Sequence, residues 1–371
     1  MTKVRSYDLP LERLLETTCS ECPDSDFPSA ENYYTRYCNI VGQLEREVYP
    51  HVNEGLAALS KESGLYTDHG PSHFDEVVKY AGLLLDLKNN RSDIIDVFDD
   101  VLNHKWVLKP YEIYALLLSI RLHDVGNIYG RENHENAIKK VIHEFKIVHL
   151  STDKIETAII AAIAGAHGGK TRTGDKDTIG NLMANDNSHG HICDFDNRKI
   201  AAFTRFADEI CENRSRVSSS EAMDIPDHNL VYHKYANGIV GNYIKDKTLY
   251  FDIQFHIGNL TRLYKIYKDE ELIEVNLPEV ALGRLRKTEL ERRYCNRFIP
   301  EQAQLKEISI SVVILNDTLD EESYSHEQID RTTFTLKEEG YPAENQVQFD
   351  EKTTLFMSYE RFCKTNSEEV K

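Results

Sequence analysis

The feature that most constrains the fold is an apolar run that ends in a histidine-aspartate pair. Residues Tyr111–Leu122 are mostly apolar, and their length predicts one buried helix. His123 and Asp124 follow directly, and Gly126 marks the turn after them. An imidazole beside a carboxylate can chelate one metal ion, and the carboxylate can bridge to a second. The run therefore predicts a helical core with candidate metal ligands at its end.

The composition limits the class of protein and of partner. The chain has 371 residues, a length that predicts two domains or one domain with a large appendage, and its 40% hydrophobic and 29% charged residues are typical of a globular protein. The formal net charge of −18 argues against a nucleic-acid partner held by overall electrostatics. No apolar run approaches the ~20 residues of a membrane span, and the polar N-terminus lacks a signal-peptide core. With seven cysteines, an odd number, we predict a reduced cytoplasmic protein without a membrane partner.

The periodicity of apolar residues divides the chain into three parts. Residues 1–28 form a mixed N-terminal segment, and helical patterns with short turns dominate residues 29–222. Within them, residues 168–195 predict a long polar loop that is either functional or disordered. Residues 223–371 mix strand and helix patterns. The predicted fold is mainly α, with a helical domain followed by a smaller α+β C-terminal domain.

The C-terminal part carries more specific predictions. A strand is predicted at Ile308–Leu315 and another around Val231, because both are rich in β-branched or aromatic residues. Helices are predicted over residues 277–298 and near residues 325–339.

The helical part contains further candidate ligands near helix ends or among core residues. They are His73, His134, His167 and Asp208. Asp208 lies within Phe203–Cys211, among side chains that should pack inward. A carboxylate in such a place is costly unless it is paired or bound to a cation. Together with the His123-Asp124 pair, these residues predict a metal centre.

In this order the ligands resemble those of the HD-domain metal-dependent phosphohydrolase superfamily, over about residues 60–216. His73 with the following Phe-Asp-Glu-Val-Val is similar to the first histidine motif of that family, and His123-Asp124 to the doublet that names it. Phe206-Ala-Asp208 is similar to its last aspartate.

Other segments refine this resemblance. His134 and His167 match the extra histidines of two-metal members, and Thr67–His73 and Gly130–Glu135 are similar to segments of a bacterial subgroup called HD-CE. Asn127 follows the doublet where many members have a lysine nearby. Gly168 follows His167 where two-metal members often have a second histidine. His69 is an alternative or an addition to His73, which the helix register favours.

The resemblance implies a two-metal site. It assigns His73, His123 and Asp208 to one ion, His134 and His167 to the other, and Asp124 as the bridge between them. Mn²⁺, Fe²⁺, Co²⁺ and Mg²⁺ all suit such ligands. The implied reaction is hydrolysis of a nucleotide phosphoester or phosphoanhydride, such as a cyclic nucleotide, a (d)NTP or an alarmone, by metal-activated water.

Substrate phosphates also need positive charge from the protein. Arg131 lies between the doublet and His134, and we predict that it binds substrate and acts in catalysis with Asp124. Lys170 and Arg172 follow His167, and Arg214 follows Asp208, so these three are predicted to bind substrate. Solvated surface charge is the alternative for these three.

Two other functions are compatible with the sequence. A helical site with two irons can activate O₂, which would make the protein an oxygenase. Alternatively, the protein is a non-catalytic nucleotide sensor that signals through its C-terminal domain. That domain carries no motif of its own and is a candidate surface for homo-oligomerisation.

Overall fold

A computed structural model describes residues 7–22, 26–52, 71–88, 91–184, 195–214, 227–268, 271–320, 323–338 and 349–369. The chain divides into two compact units, the first comprising residues 1–63, 69–211 and 295–304, and the second comprising residues 64–68, 212–294 and 305–371. The boundary at residue 222 stays a prediction. His69 lies outside the described residues.

The described part of the first unit is helical. Its helices are α1 (Pro10–Glu21), α2 (Tyr33–Gln43), α3 (Pro71–Leu84), α4 (Arg91–Leu102), α5 (Pro110–Leu122), α6 (Ile138–Glu144), α7 (Lys154–Gly165) and α8 (Asn197–Ile210). Two short 3₁₀ turns, Val125–Tyr129 and His134–Asn136, lie between α5 and α6.

Helix α5 is the centre of this unit, as its apolar run predicted. It begins with Pro110, which suits a first helical turn, and the Lys109 backbone N–H donates to Glu112 Oε2 at 2.8 Å. Every residue of α5 is buried, and α1, α2, α3, α7 and α8 all contact it. The predicted buried helix is therefore confirmed.

A buried arginine fixes the position of α5 against its neighbours. The Arg121 guanidinium lies 2.7 Å from Glu12 Oε1 on α1 and 2.7 Å from Asp75 Oδ1 on α3, and its Nε donates to Tyr37 on α2 at 2.9 Å. Its side chain has no exposed surface. A buried charge with this many partners specifies one arrangement of helices, because losing any partner leaves a charge uncompensated.

The second unit is an α+β assembly. Its elements are α9 (Asp227–Gly238), β1 (Ile239–Lys245), β2 (Thr248–His256), α10 (Ile257–Leu260), β3 (Leu263–Lys268), β4 (Glu271–Asn276), α11 (Leu277–Asn296), β5 (Glu307–Asp320), β6 (Ser323–Lys337), α12 (Glu351–Phe356) and α13 (Tyr359–Glu369). The main sheet has the order β1-β2-β5-β6, in which β2 and β5 are parallel, and β3 pairs with β4 in a separate hairpin. The last two residues of α11 belong to the first unit.

The fold class is confirmed, but two C-terminal predictions are wrong. The helix predicted near residues 325–339 is strand β6, whose Phe334 and Leu336 face Ile310 and Ile308 across the antiparallel ladder. Pairing with β5 outweighs the local preference of this polar stretch for a helix. Val231 lies in α9 rather than in a strand, and it and Tyr235, four residues on, are both buried. The helix over residues 277–298 and the strand at Ile308–Leu315 are confirmed as α11 and part of β5.

The predicted loop after α7 is well tied where the structure describes it. Thr178 Oγ1 donates to the Ala166 carbonyl at 2.8 Å and accepts from Arg205 Nη1 at 2.9 Å. Arg198 Nε donates to the Leu182 carbonyl at 2.8 Å. Residues 168–184 are thus anchored to α7 and α8, whereas residues 185–194 lie outside the described part. No helix among the described residues has the length and apolarity needed to cross a membrane.

Candidate metal centre

Six polar side chains from distant parts of the first unit meet around Asp124. His73 comes from the first turn of α3, the doublet ends α5, and Asp208 comes from the last turn of α8; the 3₁₀ turn and the end of α7 supply the remaining two, His134 and His167. Five of the six are buried, and the Asp208 side chain is 27% exposed. The structure therefore places all six predicted ligands in one cluster.

One oxygen of Asp124 faces the ligands from the core helices. Asp124 Oδ2 lies 3.4 Å from His123 Nε2 and 3.6 Å from His73 Nε2. Asp208 Oδ1 closes the group, at 3.3 Å from His73 Nε2 and 3.6 Å from His123 Nε2. We call His73, His123 and Asp208, with this oxygen, the Oδ2 half.

The other oxygen faces the remaining two histidines. Asp124 Oδ1 lies 3.0 Å from His134 Nε2 and 3.6 Å from His167 Nε2, and these two nitrogens are 3.2 Å apart. We call His134 and His167, with this oxygen, the Oδ1 half. The carboxylate thus stands between two groups of nitrogen ligands.

Backbone carbonyls determine which nitrogen of each ring faces the centre. The Nδ1 atoms of His123, His134 and His167 lie 2.7, 2.9 and 2.7 Å from the carbonyl oxygen three residues earlier in the chain. A carbonyl oxygen can only accept, so each Nδ1 must carry the proton. In the neutral rings, the Nε2 lone pairs then point at one another across the cluster, an arrangement that a cation between them would stabilise.

A glycine allows the two halves to approach. A Cβ atom at Gly126 would lie only 1.9 Å from the carbonyl oxygen of His134. No larger residue fits while the His134 turn stays where it is. The glycine two residues after Asp124 is therefore what allows the His134 ring to reach Oδ1.

Electrostatics distinguish the two halves. Burial opposes a charge on His123, but the carboxylates of Asp124 and Asp208 outweigh burial and raise the pKa of this imidazole to about 10. Burial would raise the pKa of the Asp208 carboxyl, yet hydrogen bonds from His123 and His73 hold this pKa well below its usual range. Burial lowers the pKa of His167. Without a metal, the Oδ2 half thus holds a proton where a cation would fit.

The ligand set fits divalent metal ions. Among the described residues, four groups of three ligand atoms lie close enough to hold an ion: His73-His123-Asp124, Asp124-His134-His167, His123-His167-Asp208 and His73-Asp208-Cys211. Four imidazoles and two carboxylates in a buried site match Mn²⁺, Fe²⁺ and Co²⁺ better than Mg²⁺, which prefers oxygen ligands and water.

Three neighbouring side chains were not predicted. Glu135 Oε2 lies 3.3 Å from His134 Nδ1, and Cys211 Sγ lies 3.6 Å from His73 Nδ1, so each contacts a ring from behind. Asn127 is fully buried, and neither polar atom of its side chain has a hydrogen-bond partner among the described residues. Each stands within three residues of a predicted ligand, which is the one signal that could have identified it.

The predicted substrate-binding cations lie in different places. Arg131 Nη1 is 3.9 Å from Asp124 Oδ1, and its side chain is 48% exposed, so it lies on the solvent side of the Oδ1 half. Lys170 and Arg172 are exposed on the anchored loop after His167. Arg214 belongs to the second unit, where its Nε donates to the Asn237 carbonyl at 3.0 Å.

Comparison with known proteins gives one match. The HD-CE family profile covers residues 64–268, more than half of the chain, and includes all six residues of the centre. No curated protein and no solved structure matched the sequence. The predicted resemblance to this subgroup is confirmed, and the chain belongs to the HD-CE family.

Proposed function

We propose that the protein is a metal-dependent phosphohydrolase that acts on a nucleotide phosphoester or phosphoanhydride. The observation that supports it is the placement of Asp124 between two sets of imidazole nitrogens, one set at each oxygen. His73, His123, Asp124 and Asp208 would hold one ion, and Asp124, His134 and His167 a second. Such ions supply Lewis acidity toward a phosphoryl oxygen and toward water.

The protein's own groups would bind and orient the substrate. Asp124 is shared by the two halves, because each of its carboxylate oxygens faces two imidazoles. Arg131, beside Oδ1 and open to solvent, would pair with a phosphoryl oxygen and offset the charge that develops on it. The buried ligands exclude bulk water, which strengthens these interactions. Lys170 and Arg172 are further candidates for phosphate contacts, whereas the substrate-binding role of Arg214 stays a prediction from the sequence.

The test is turnover with a matched control. Purified protein loaded with Mn²⁺, Co²⁺ or, without air, Fe²⁺ would be incubated with (d)NTPs, cyclic mono- and dinucleotides and guanosine tetraphosphate, and analysed by HPLC. We expect one class of nucleotide to be consumed. Asp124→Ala should slow the reaction by roughly 10³-fold, equivalent to about 4 kcal/mol of barrier. Asp96→Ala, which removes an exposed carboxylate of α4, should leave it unchanged.

The main competitor is an iron oxygenase, because the same histidines and carboxylates suit iron. Bound iron with O₂ consumption, and with no nucleotide turned over, would replace our proposal with this one. Bound metal with neither reaction would favour the non-catalytic sensor. Arg131 beside the centre favours hydrolysis, since O₂ needs no cationic clamp.

A further inference from the structure

A cleft lies next to the metal centre but is separate from it. Its volume is about 510 Å³, which lies within the range of small-molecule sites, and all of its lining residues belong to the first unit. None of the six centre residues lines it. Their neighbours do, however: Glu135 follows His134, and Gly168 follows His167. The cleft and the Oδ1 half thus share two backbone segments.

The charged residues of the cleft favour an anion. Lys139, Lys170 and Arg172 line it, and all three are exposed. Within the described ranges, none of the three makes an ion pair or a side-chain hydrogen bond. Glu135 supplies the single carboxylate, and it is directed to His134. On a chain with a net charge of −18, three cations around one cleft create a local positive field, and both ammonium and guanidinium groups suit phosphate.

We call the part of the cleft surface that α7 and the residue after it contribute the floor of the cleft. It consists of Ala161, Ala162, Gly165 and Ala166, whose side chains are the smallest available. Leu182 adds an apolar contact and Asn181 an amide from the anchored loop. Small side chains leave room for a planar ring. The Asn181 Nδ2 already donates to the Asp177 carbonyl at 3.1 Å, and its amide oxygen can accept a hydrogen bond from the edge of the ring. Few ligands combine a planar polar ring with several negative charges, and nucleotides are the common ones.

We propose that this cleft binds a nucleoside phosphate, with its phosphates at Lys139, Lys170 and Arg172 and its base on the alanine-glycine floor. The ligand is either the non-reacting part of the substrate or a second nucleotide that regulates the centre. Glu135 connects the two sites, because it lines the cleft and its Oε2 lies 3.3 Å from His134 Nδ1. Binding in the cleft does not require that the centre hydrolyses phosphoesters.

Calorimetry on the full chain with EDTA present tests the binding. The probes are ATP, GTP, inorganic tripolyphosphate and the two nucleosides. We expect at least one nucleotide to bind more tightly than tripolyphosphate and than its own nucleoside. Lys139→Gln, Lys170→Gln and Arg172→Gln should each raise its Kd by roughly tenfold. The three side chains are exposed, so the melting temperature should not change and misfolding can be excluded.

Two lysines outside the cleft are the matched controls. Lys140 follows Lys139 but pairs with Glu144 at 3.8 Å, and Lys176 lies on the same loop as Lys170 without lining the cleft. Lys140→Gln and Lys176→Gln should leave the Kd unchanged. If no nucleotide binds, or if the controls weaken binding as much as the cleft variants do, the proposal is overturned.

Kinetics then separate the two sources of the ligand. If the cleft holds part of the substrate, Lys139→Gln should raise KM for that nucleotide about tenfold, with kcat and the hydrolysis of p-nitrophenyl phosphate unchanged. If it holds a regulator, a second nucleotide should alter the rate with the wild type but not with Lys139→Gln. Hydrolysis without cleft binding would remove this proposal and leave the proposed function standing, and binding without hydrolysis would do the reverse.

Discussion

The two halves of the centre are built in different ways. The Oδ2 half takes its ligands from α3, α5 and α8, the helices that form the core, and Arg121 ties two of these to α1. The Oδ1 half takes its ligands from a 3₁₀ turn and from the end of α7, beside the cleft. Asp124 is common to both.

This difference suggests separate roles. The ligands of the Oδ2 half cannot move without disturbing the core, and they include two carboxylates, so we expect this half to bind its ion more tightly. The Oδ1 half has only the shared carboxylate and stands on short segments that the cleft also contacts. We therefore expect its ion to be the weaker one and the one that responds to ligands.

Removing Arg121 should have the largest effect on stability. Arg121→Met leaves Glu12 without its guanidinium partner, so the free energy of unfolding should fall by about 3–5 kcal/mol. Chemical denaturation measures this change. Arg121→Met with Glu12→Gln should recover part of the loss, because the more deeply buried of the two carboxylates that pair with Arg121 is then neutral, whereas Asp75 is 26% exposed.

Arg205 is the matched comparison, since its Nη1 donates to Lys176 and Thr178 on the loop that forms a wall of the cleft. Arg205→Met removes its hydrogen bond to Thr178 and should cost about 1–3 kcal/mol. It should also leave the ion of the Oδ2 half in place. Equal losses of unfolding free energy in Arg121→Met and Arg205→Met would contradict our interpretation that core helices hold one half and shorter segments the other.

Single histidine substitutions should separate the two ions. His134→Ala should leave about one ion per chain, whereas His73→Ala should weaken the tighter ion by at least ~100-fold. Metal analysis after dialysis against a series of chelator concentrations gives both numbers. His143→Ala, an exposed histidine of α6, is the control. If His134→Ala removes the tighter ion, the order of metal affinities is the reverse of the one that we predict.

A smaller effect should follow from displacing Glu135. A Cβ at Gly169 would lie 2.1 Å from Glu135 Oε1, and the φ of Gly169 is +70°. Gly169→Ala should therefore push the carboxylate away from His134 and weaken the ion of the Oδ1 half by about tenfold.

Two other glycines separate the causes of that effect. Gly168→Ala adds a methyl group in open space, and Gly174→Ala adds one at a φ of +89°, also in open space. Neither should change metal affinity. If Gly174→Ala matches Gly169→Ala, backbone strain rather than Glu135 is responsible.

Proton release should distinguish the halves by pH. The pKa of His123 is raised to about 10, so binding an ion there should release about one proton at pH 8, and affinity should rise with pH up to that value. The pKa of His167 is lowered, so this imidazole should release little above pH 7. Calorimetry in buffers of different ionisation enthalpy counts the protons.

The same shift affects the metal-free protein. Because the pKa of His123 is raised in the folded protein, protonation of this ring stabilises the fold. The contribution is complete at a pH below the unfolded pKa near 6.5, and it is lost as the pH rises through about 10. Stability of the metal-free protein should therefore fall between neutral pH and pH 10. Asp208→Asn removes a carboxylate that raises the pKa of His123, so it should reduce this dependence of stability on pH.

Local patterns explain which parts of the fold could be predicted. The apolar run of α5 carries its signal within a few residues, so it could be located from the sequence alone. The six predicted ligands were identified instead from their order over about residues 60–216, which resembles that of the HD-domain family. The helix predicted near residues 325–339 failed because pairing with β5, the strand before it in the chain, decides the structure there, and the polar residues of this stretch do not indicate that pairing. The partner of Arg121 on α1 lies 109 residues away, and no local pattern indicates it.

The cleft shows the same limit at the functional site. Lys170 and Arg172 were predicted from their position after His167, whereas Lys139 was not, because nothing in α6 marks it as part of a site. Only the packing of α6 against α7 brings it to the same cleft. Glu135 was missed for a similar reason, since a carboxylate in a short polar turn usually faces solvent.

The close approach at Gly126 has a consequence for mutagenesis. In a saturation screen scored by turnover, every substitution at this position would be eliminated together with those at the six ligands, although glycine has no side chain to bind anything. At this position the screen would report the close approach of Gly126 to the His134 turn and not a role in binding. Counting the metal retained by each variant would reveal this, because a Gly126 variant should keep the ion held by the core helices and lose only its neighbour.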